Sequence, residues 1–389
     1  MKNLDKKADL ESMRYKYHDV SKVEKSKILD ELCDLFGYNR KYLLQFFNCL
    51  TRKKYIARGS KRKYDSKQLL RPLQNIWLAT DQMCSKKLKV AIPQWLPFYD
   101  TVYNKPLSDN IKQQLLQISP ATIDRLLKPH KAKYKKHGLV GTRPGYLLKN
   151  QIPIKTDHWD VTTPGFMEAD TVAHCGNSIA GDYVWSITLT DICTCWTEIR
   201  ATWNKGSTGV MEQIKNIENS LPFPILGFDC DNGSEFLNWH LIHYFTQEKQ
   251  VQFTRSRPYR KNDNAHVEQK NWTHVRNLFG YDRFDNLLLV DLMNDLYSNE
   301  WSLYQNHFIP TLKLLEKEKI NSKYRRKYEQ PKTPYQRIIE SSSIDIAIKE
   351  RLEQIHEQLN PFLLKKTIEK KLQQIFNYVT TNKKPHAKI

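Results

Sequence analysis

Long apolar runs are absent from this 389-residue chain. No stretch approaches the roughly 18 uninterrupted apolar residues that a transmembrane helix needs, and the opening MKNLDKKADL has no apolar core of the kind a secretory leader carries. Cysteine is sparse: seven, at positions 33, 49, 84, 175, 193, 195 and 230, an odd number with no CxxC pair. That excludes a disulfide framework and leads to the expectation of reduced thiols in a cytoplasmic setting. No Cys/His quartet has ligand spacing, so a structural zinc site is not expected either. No internal repeat is visible. What is present is enough core material, with 40% hydrophobic and 11% aromatic residues, to exclude general disorder and to allow two or three domains.

Acid is the other scarcity, and it is unevenly distributed. Lys and Arg number 62 against 42 Asp and Glu, a formal net charge of +20. Residues 1–150 hold 32 basic and 13 acidic residues (+19), residues 151–290 hold 12 and 17 (−5), and residues 291–389 hold 18 and 12 (+6). A basic excess points to a polyanionic partner, most often nucleic acid. A basic front and a basic tail around an acidic middle point to separate tasks.

The basic front reads as two helical hairpins. In VEKSKILDELCDLFGYNRKYLLQFFNCL (23–50), Ile28, Leu32, Leu35 and Phe36 fall at helical spacing. Gly37 breaks the pattern, and Leu43, Phe46, Phe47 and Leu50 resume it. Helix, Gly-containing turn, helix is the helix-turn-helix outline. In LSDNIKQQLLQISPATIDRLLKPH (107–130), Ser119 suits an N-cap and Pro120 the first helical position. Arg125 and Lys128 are then left on the outward face, as candidate DNA contacts. Between the hairpins, residues 51–71 carry nine basic residues and one acid, which favours phosphate contact. The non-periodic stretch 131–150 reads as a linker, with a domain boundary near 150.

The middle reads as α/β. Residues 165–173, 182–192 and 195–202 are β-rich, 209–221 helical, 224–229 a short strand, 238–250 helical, 251–255 a strand and 263–280 helical, giving a mixed sheet with helices packed on it. The tail, 291–389, reads as mainly helical. Its segment NSKYRRKYEQPKTPYQRI (321–338) interleaves tyrosine with basic residues, a pattern that suits nucleic-acid backbone contact and stacking.

Three carboxylates stand out. Asp170 lies within the first strand, where alternation puts it on one face with Glu168; a charge there needs a partner or a metal. Asp231 follows the fourth strand, before the Asn-Gly step of DNGSEF. Glu268 lies in the helix that begins after Asn262 or Asp263. Strand, strand end and helix can bring the three together, and crowded carboxylates call for cations. Two Mg²⁺ ions, roughly 3.5–4 Å apart, would suit all-oxygen ligands and phosphoryl transfer. Asp229, two residues before Asp231, competes for the second position. Asp191 reads as a turn residue that bonds nearby backbone N–H groups.

The blocks EADTVAHCG, FDCDNGSEF and SRPYRKNDNAHVEQKN resemble those of the DDE transposase and retroviral integrase superfamily, and most of all the bacterial insertion-sequence transposases with an integrase-like catalytic core. The resemblance covers about residues 160–285. Sixty residues separate Asp170 from Asp231 and 36 separate Asp231 from Glu268, one more than the family's usual last interval. The front lacks the family's zinc-binding HHCC module. The resemblance implies an RNase H-like core on residues 151–290, and it assigns the second acid to Asp231 rather than Asp229. It also implies two Mg²⁺ (Mn²⁺ as substitute), cleavage and strand transfer of element ends into target DNA, a homo-oligomer on DNA and a nucleoid-associated location. Arg255, Arg257, Arg260 and Lys261, in the loop before the Glu268 helix, are expected to hold phosphates, with Asn264, Lys270 and Asn271 beside them. His266 reads as a surface histidine, and the adjacent His174 and Cys175 are poorly spaced for zinc. The rival readings are a nuclease that never joins strands and a non-catalytic DNA-binding regulator.

Overall fold

The computed structural model describes residues 3–48, 64, 66–131, 162–230, 236, 239–255, 265–320 and 323–381. The chain divides into two compact units, Met1–Lys63 and Tyr64–Ile389. The boundary expected near 150 lies outside the described residues, as does most of the basic run 51–71. The division falls after Lys63 because the helices that follow share one hydrophobic core with the sheet and the C-terminal helices.

The first unit has three helices: α1 (Asn3–Asp19), α2 (Lys22–Phe36) and α3 (Arg40–Asn48). Ser21 and Glu24 form a reciprocal capping box at the start of α2. Gly37, at φ 69°, ends α2 in the left-handed conformation that glycine adopts without strain, its N–H donating to the Cys33 carbonyl. The apolar stripe differs from expectation: Leu29 and Leu32 are buried with Leu10, Tyr17, Leu43 and Phe47, whereas Leu35 is 74% exposed.

In the second unit, α4 (Ser66–Ala79), α5 (Ser85–Trp95), α6 (Tyr99–Tyr103), α7 (Asp109–Gln117) and α8 (Pro120–Lys131) come first. The Ser119 hydroxyl accepts the Thr122 N–H, as an N-cap should. Trp95 packs edge-on against Tyr304, Phe308 and Phe362, which joins these helices to the C-terminal ones.

The sheet comprises β1 (Phe166–Ala173), β2 (Val184–Asp191), β3 (Thr197–Trp203), β4 (Gly227–Cys230) and β5 (Gln252–Arg255), in the order β3-β2-β1-β4-β5. β1, β2 and β3 pair antiparallel, and β1–β4 and β4–β5 pair parallel. One face carries Met167, Ala169, Ile187, Leu189 and Phe228 under Val210, Ile214 and Ile217 of α9 (Ser207–Ser220). The other carries Val172, Val184, Ile199 and Ala201 beneath Val275, Phe279, Met293 and Leu296. Between β4 and β5 runs α10 (Trp239–His243), extended by a wider π turn to Glu248. The result is a five-stranded mixed sheet with helices on both faces, as the strand and helix pattern predicts.

After β5 come α11 (Ala265–Lys270), a π-helical segment Asn271–Arg276 and α12 (Asn277–Phe279). α13 (Leu288–Leu296) continues through a third π segment, Tyr297–Trp301, into α14 (Ser302–Phe308). The tail is helical, in α15 (Pro334–Glu340), α16 (Ile346–Gln358) and α17 (Pro361–Thr381), but a separate antiparallel hairpin interrupts it: β6 (Leu314–Ile320) and β7 (Lys323–Tyr328). The tyrosine-rich basic segment therefore begins as a strand. No described helix is long and apolar enough to cross a membrane.

Candidate functional site

β1 is the middle strand of the sheet, and its alternation turns Glu168 and Asp170 toward α11 and the π segment that follows. The two carboxylates do different things. Glu168, buried, accepts the Val267 N–H through Oε2 at 3.1 Å. That donor is among the first N–H groups of α11, which have no partner within the helix. Asp170, half-buried, accepts its neighbour Thr171's N–H through Oδ1 and the Asn271 side-chain amide through Oδ2, each at 2.7 Å. Two bonds from consecutive turns thus fix the helix on β1. Glu268 lies between the two donors, next to Val267 and three residues before Asn271, a spacing that shares one helix face. Its backbone is helical, and its side chain lies outside the described residues.

At Asn271 the helix changes to i→i+5 hydrogen bonding, a rare widening that recurs at functional sites. Asn271 Oδ1 is buried and has no hydrogen-bond partner among the described residues. The same holds for Thr188 Oγ1, and Thr188 is the direct cross-strand partner of Asp170. The atoms around Asp170 are therefore carboxylate, amide and hydroxyl oxygens, two of them buried acceptors in need of a donor or cation. Such a donor set fits Mg²⁺ or Mn²⁺. Among the described residues no three His, Cys, Asp or Glu side chains form a metal-binding group.

β4 ends at Cys230, which pairs with Ala169, the residue before Asp170. Asp231 itself lies outside the described residues. Asp229, the rival, pairs with Glu168 in the parallel register and accepts the Thr254 hydroxyl at 2.6 Å. Asp191 has the structural part read for it: its carboxylate accepts the N–H groups of Gly165 and Thr194 and the Thr194 hydroxyl. Burial raises its pKa, against the pull of those bonds.

Lys270 corrects an expectation. Read as a DNA contact, it is turned inward and only 5% exposed, its ammonium 3.4 Å from the Cys195 carbonyl. Burial lowers its pKa to about 8; the nearby Cys195 opposes the shift, and Lys87 and Arg337 add to it. It sits two residues after Glu268, hence away from that residue's face of the helix. Arg255 closes β5, paired with Cys230; its side chain, and all of Arg257, Arg260, Lys261 and Asn264, lie outside the described residues, as does the side chain of His266. Arg125 and Lys128 are exposed on α8, with Arg125 donating to the Thr122 hydroxyl at 2.9 Å. His174 is a core residue, its Nε2 2.8 Å from the Ser186 hydroxyl. The anchoring part of Glu168 was missed by sequence reasoning. Its signal was there, as a second acid at i−2 on the face of Asp170.

The uncharacterized protein y4rM of Sinorhizobium fredii is 34% identical over 331 residues, which cover 84% of this chain and 93% of that protein. The chain belongs to the y4rM family. No family model matches it. Solved structures similar to this chain include retroviral integrase cores. The HTLV-2 integrase catalytic core domain in complex with magnesium, trimeric form, gives 17% identity and a TM-score of 0.27 over 37% of this chain and 86% of that one. The catalytic core domain of BIV integrase gives 12% identity and a TM-score of 0.28 over 50% and 99%.

Proposed function

We propose that this protein is a metal-dependent polynucleotidyl transferase that cuts and joins DNA, with Asp170, Asp231 and Glu268 as its catalytic carboxylates. The observation that carries this reading is the double tie between β1 and the helix bearing Glu268, one bond from Val267 to Glu168 and one from Asn271 to Asp170. The end of β4 adds support: Asp231 is the next residue after Cys230, which pairs beside Asp170, and consecutive Cα atoms are about 3.8 Å apart.

In this reading the chain's own groups do the following. Asn271 holds the plane of the Asp170 carboxylate. Asp170, Asp231 and Glu268 would hold two Mg²⁺ ions, which would supply Lewis-acid activation of the attacking oxygen and charge relief on the leaving one. Arg255, Arg257, Arg260, Lys261 and Asn264 grip the phosphates. Water is the first nucleophile, at the 3′ end of an inserted element, and the freed 3′-OH then attacks target DNA. The first unit, through α2 and α3, and α8 through Arg125 and Lys128, recognise element ends, in a homo-oligomer that joins two ends in concert at the nucleoid.

The test uses the full chain, a pre-cleaved duplex copied from the DNA flanking the gene, and a supercoiled target, with Mg²⁺ or Mn²⁺. Joined product is expected from the wild type, and none from Asp170→Asn or Glu268→Gln. Equal joining by wild type and Glu268→Gln would discard the site. Carboxylate-dependent nicking without joining would mark a nuclease, and DNA binding without any cleavage a regulator.

A further inference from the structure

The hairpin β6–β7 pairs with no strand of the main sheet. Leu315, Glu316, Glu318, Ile320, Arg325, Arg326, Lys327 and Tyr328 are exposed, from both faces of the ribbon, Leu314 and Tyr324 are half-buried, and the side chains of Lys317, Lys319 and Lys323 lie outside the described residues. An isolated two-stranded hairpin is marginally stable in water, so a ribbon that is not buried as core calls for another reason to exist.

Its register sorts the charges. Glu316 stands opposite Lys327, Glu318 opposite Arg325 and Ile320 opposite Lys323. Directly opposed residues share a face and successive ones alternate, so these six share one face, where each acid has a cation across from it. The other face carries Lys317 opposite Arg326, Lys319 opposite Tyr324 and, beyond a register shift between Leu314 and Glu316, Leu314 opposite Tyr328. No acid is among them. Like charges directly opposed destabilise a ladder, so the pairing of Lys317 with Arg326 is unfavourable unless an anion lies over it. A linear sequence reading blurs this, because YRRKY places basic residues on both faces.

We propose that the face carrying Lys317, Lys319, Tyr324, Arg326 and Tyr328 docks on the backbone of duplex DNA. The inference rests on the DNA-handling reading given above and adds a surface to it. A two-stranded ribbon is narrow enough to enter a groove about 12 Å wide, three cations supply phosphate contacts, and the flanking tyrosines supply amphipathic edges. The opposite face, with its acids matched to cations, stays in water.

The experiment measures binding of the full chain to a labelled random duplex of about 30 base pairs by fluorescence anisotropy, across about 50 to 200 mM salt. One variant is Lys317→Gln/Lys319→Gln/Arg326→Gln. Its control, Lys323→Gln/Arg325→Gln/Lys327→Gln, removes the same formal charge from the other face. With about 0.9 per phosphate contact, the first variant should lower the slope of log K against log salt by about 2–3, and the affinity near 0.1 M salt by on the order of 10²-fold. The control should change the slope by less than about 1. Arg326→Gln alone should change it by about 0.9, which keeps the test open if a triple variant fails to fold. Equal losses in the two triple variants would mean that only net charge matters and would overturn the proposal. So would an unchanged slope in the first, or a larger loss on single-stranded RNA of the same length than on duplex DNA. If the wild type joins DNA while the two triple variants bind alike, the ribbon assignment fails and the catalytic one stands. If the triple variants differ but the wild type never cleaves, the reverse holds.

Discussion

Acidification from pH 8 to pH 5 should destabilise the larger unit by about 4 kcal/mol through two histidines, His174 and His307. His174 is fully buried, stacked on Phe284 at 4.9 Å, and its Nε2 meets the Ser186 hydroxyl. Burial lowers its pKa to about 3, with Arg276 adding to the shift. His307, on α14, faces α16, its Nδ1 3.2 Å from Nδ1 of His356, and burial followed by His356 lowers it to about 3 as well. In the unfolded chain both titrate near 6.5. A folded pKa below the unfolded one means that the unfolded state takes up the proton first. Stability is therefore complete above about pH 7 and is lost as pH falls from 6.5 toward 3. At pH 5 the unfolded chain gains RT ln(1 + 10^1.5), about 2 kcal/mol per histidine, and the folded chain almost nothing. The figure hardly changes for any folded pKa below about 4, which makes it robust.

His274 and His356, also lowered by burial, act in the same direction. Asp191 and Glu198, raised by burial, act against it, because the folded state binds their protons more readily. The assay must therefore isolate the histidines. Urea unfolding of wild type, His174→Asn and His307→Asn at pH 8 and pH 5 does so, since the readout is the difference between the two pH values and not absolute stability. Each substitution should reduce that difference by about 2 kcal/mol. A difference unchanged by either substitution would refute the argument that burial holds these rings neutral.

Asn271→Ala should remove the charge-assisted bond to Asp170, lowering stability in urea by about 1–2 kcal/mol, at the low end for such bonds because the half-buried carboxylate regains water. A purely structural part would stop there. A positioning part should also raise the Mg²⁺ needed for half-maximal joining by about 10–100-fold. Lys270→Met should stabilise the protein by about 2–3 kcal/mol at pH 7, because a lysine held near pKa 8 against an ordinary 10.5 is charged there at a penalty. The wild type should gain stability from pH 8 to 10 as the folded state loses that proton first, and the variant should not. A lower urea midpoint for the variant would show that the ammonium is needed where it lies.

Much of the fold was legible because its signals are local. The alternation in EADTVA set Glu168 and Asp170 on one face, and the bonds to Val267 and Asn271 follow from that face. Gly37 and Ser119 marked a helix end and a helix start, as the caps bear out. What depends on distant packing was not legible. α1 has little apolar pattern beyond Leu10, Met13 and Tyr17. Leu29 and Leu35 fit the helical period of α2 about equally, and only the neighbouring helices select Leu29. The linker-like composition of 131–150 could not reveal that Trp95 packs on Phe362, which binds the preceding helices into the larger unit.

The helix that carries Glu268 is the most informative departure. Its inward positions are Val267, Lys270, Asn271, His274 and Val275. Spacings of three, one, three and one mark a buried stripe, but only the two valines are apolar, so a search for hydrophobic periodicity finds a surface helix instead. A merely structural helix would gain from leucines there, since Lys270 and His274 are both pushed from their ordinary pKa values by burial. Sequences that keep polar groups where packing favours apolar ones do so most often at functional sites. Here the departures accumulate on one segment, together with a π-helical widening, an amide that holds a catalytic candidate and a buried amide oxygen with no partner among the described residues. The conflict between local pattern and burial thus points to the same stretch of chain as the carboxylates do, by a route that does not use them.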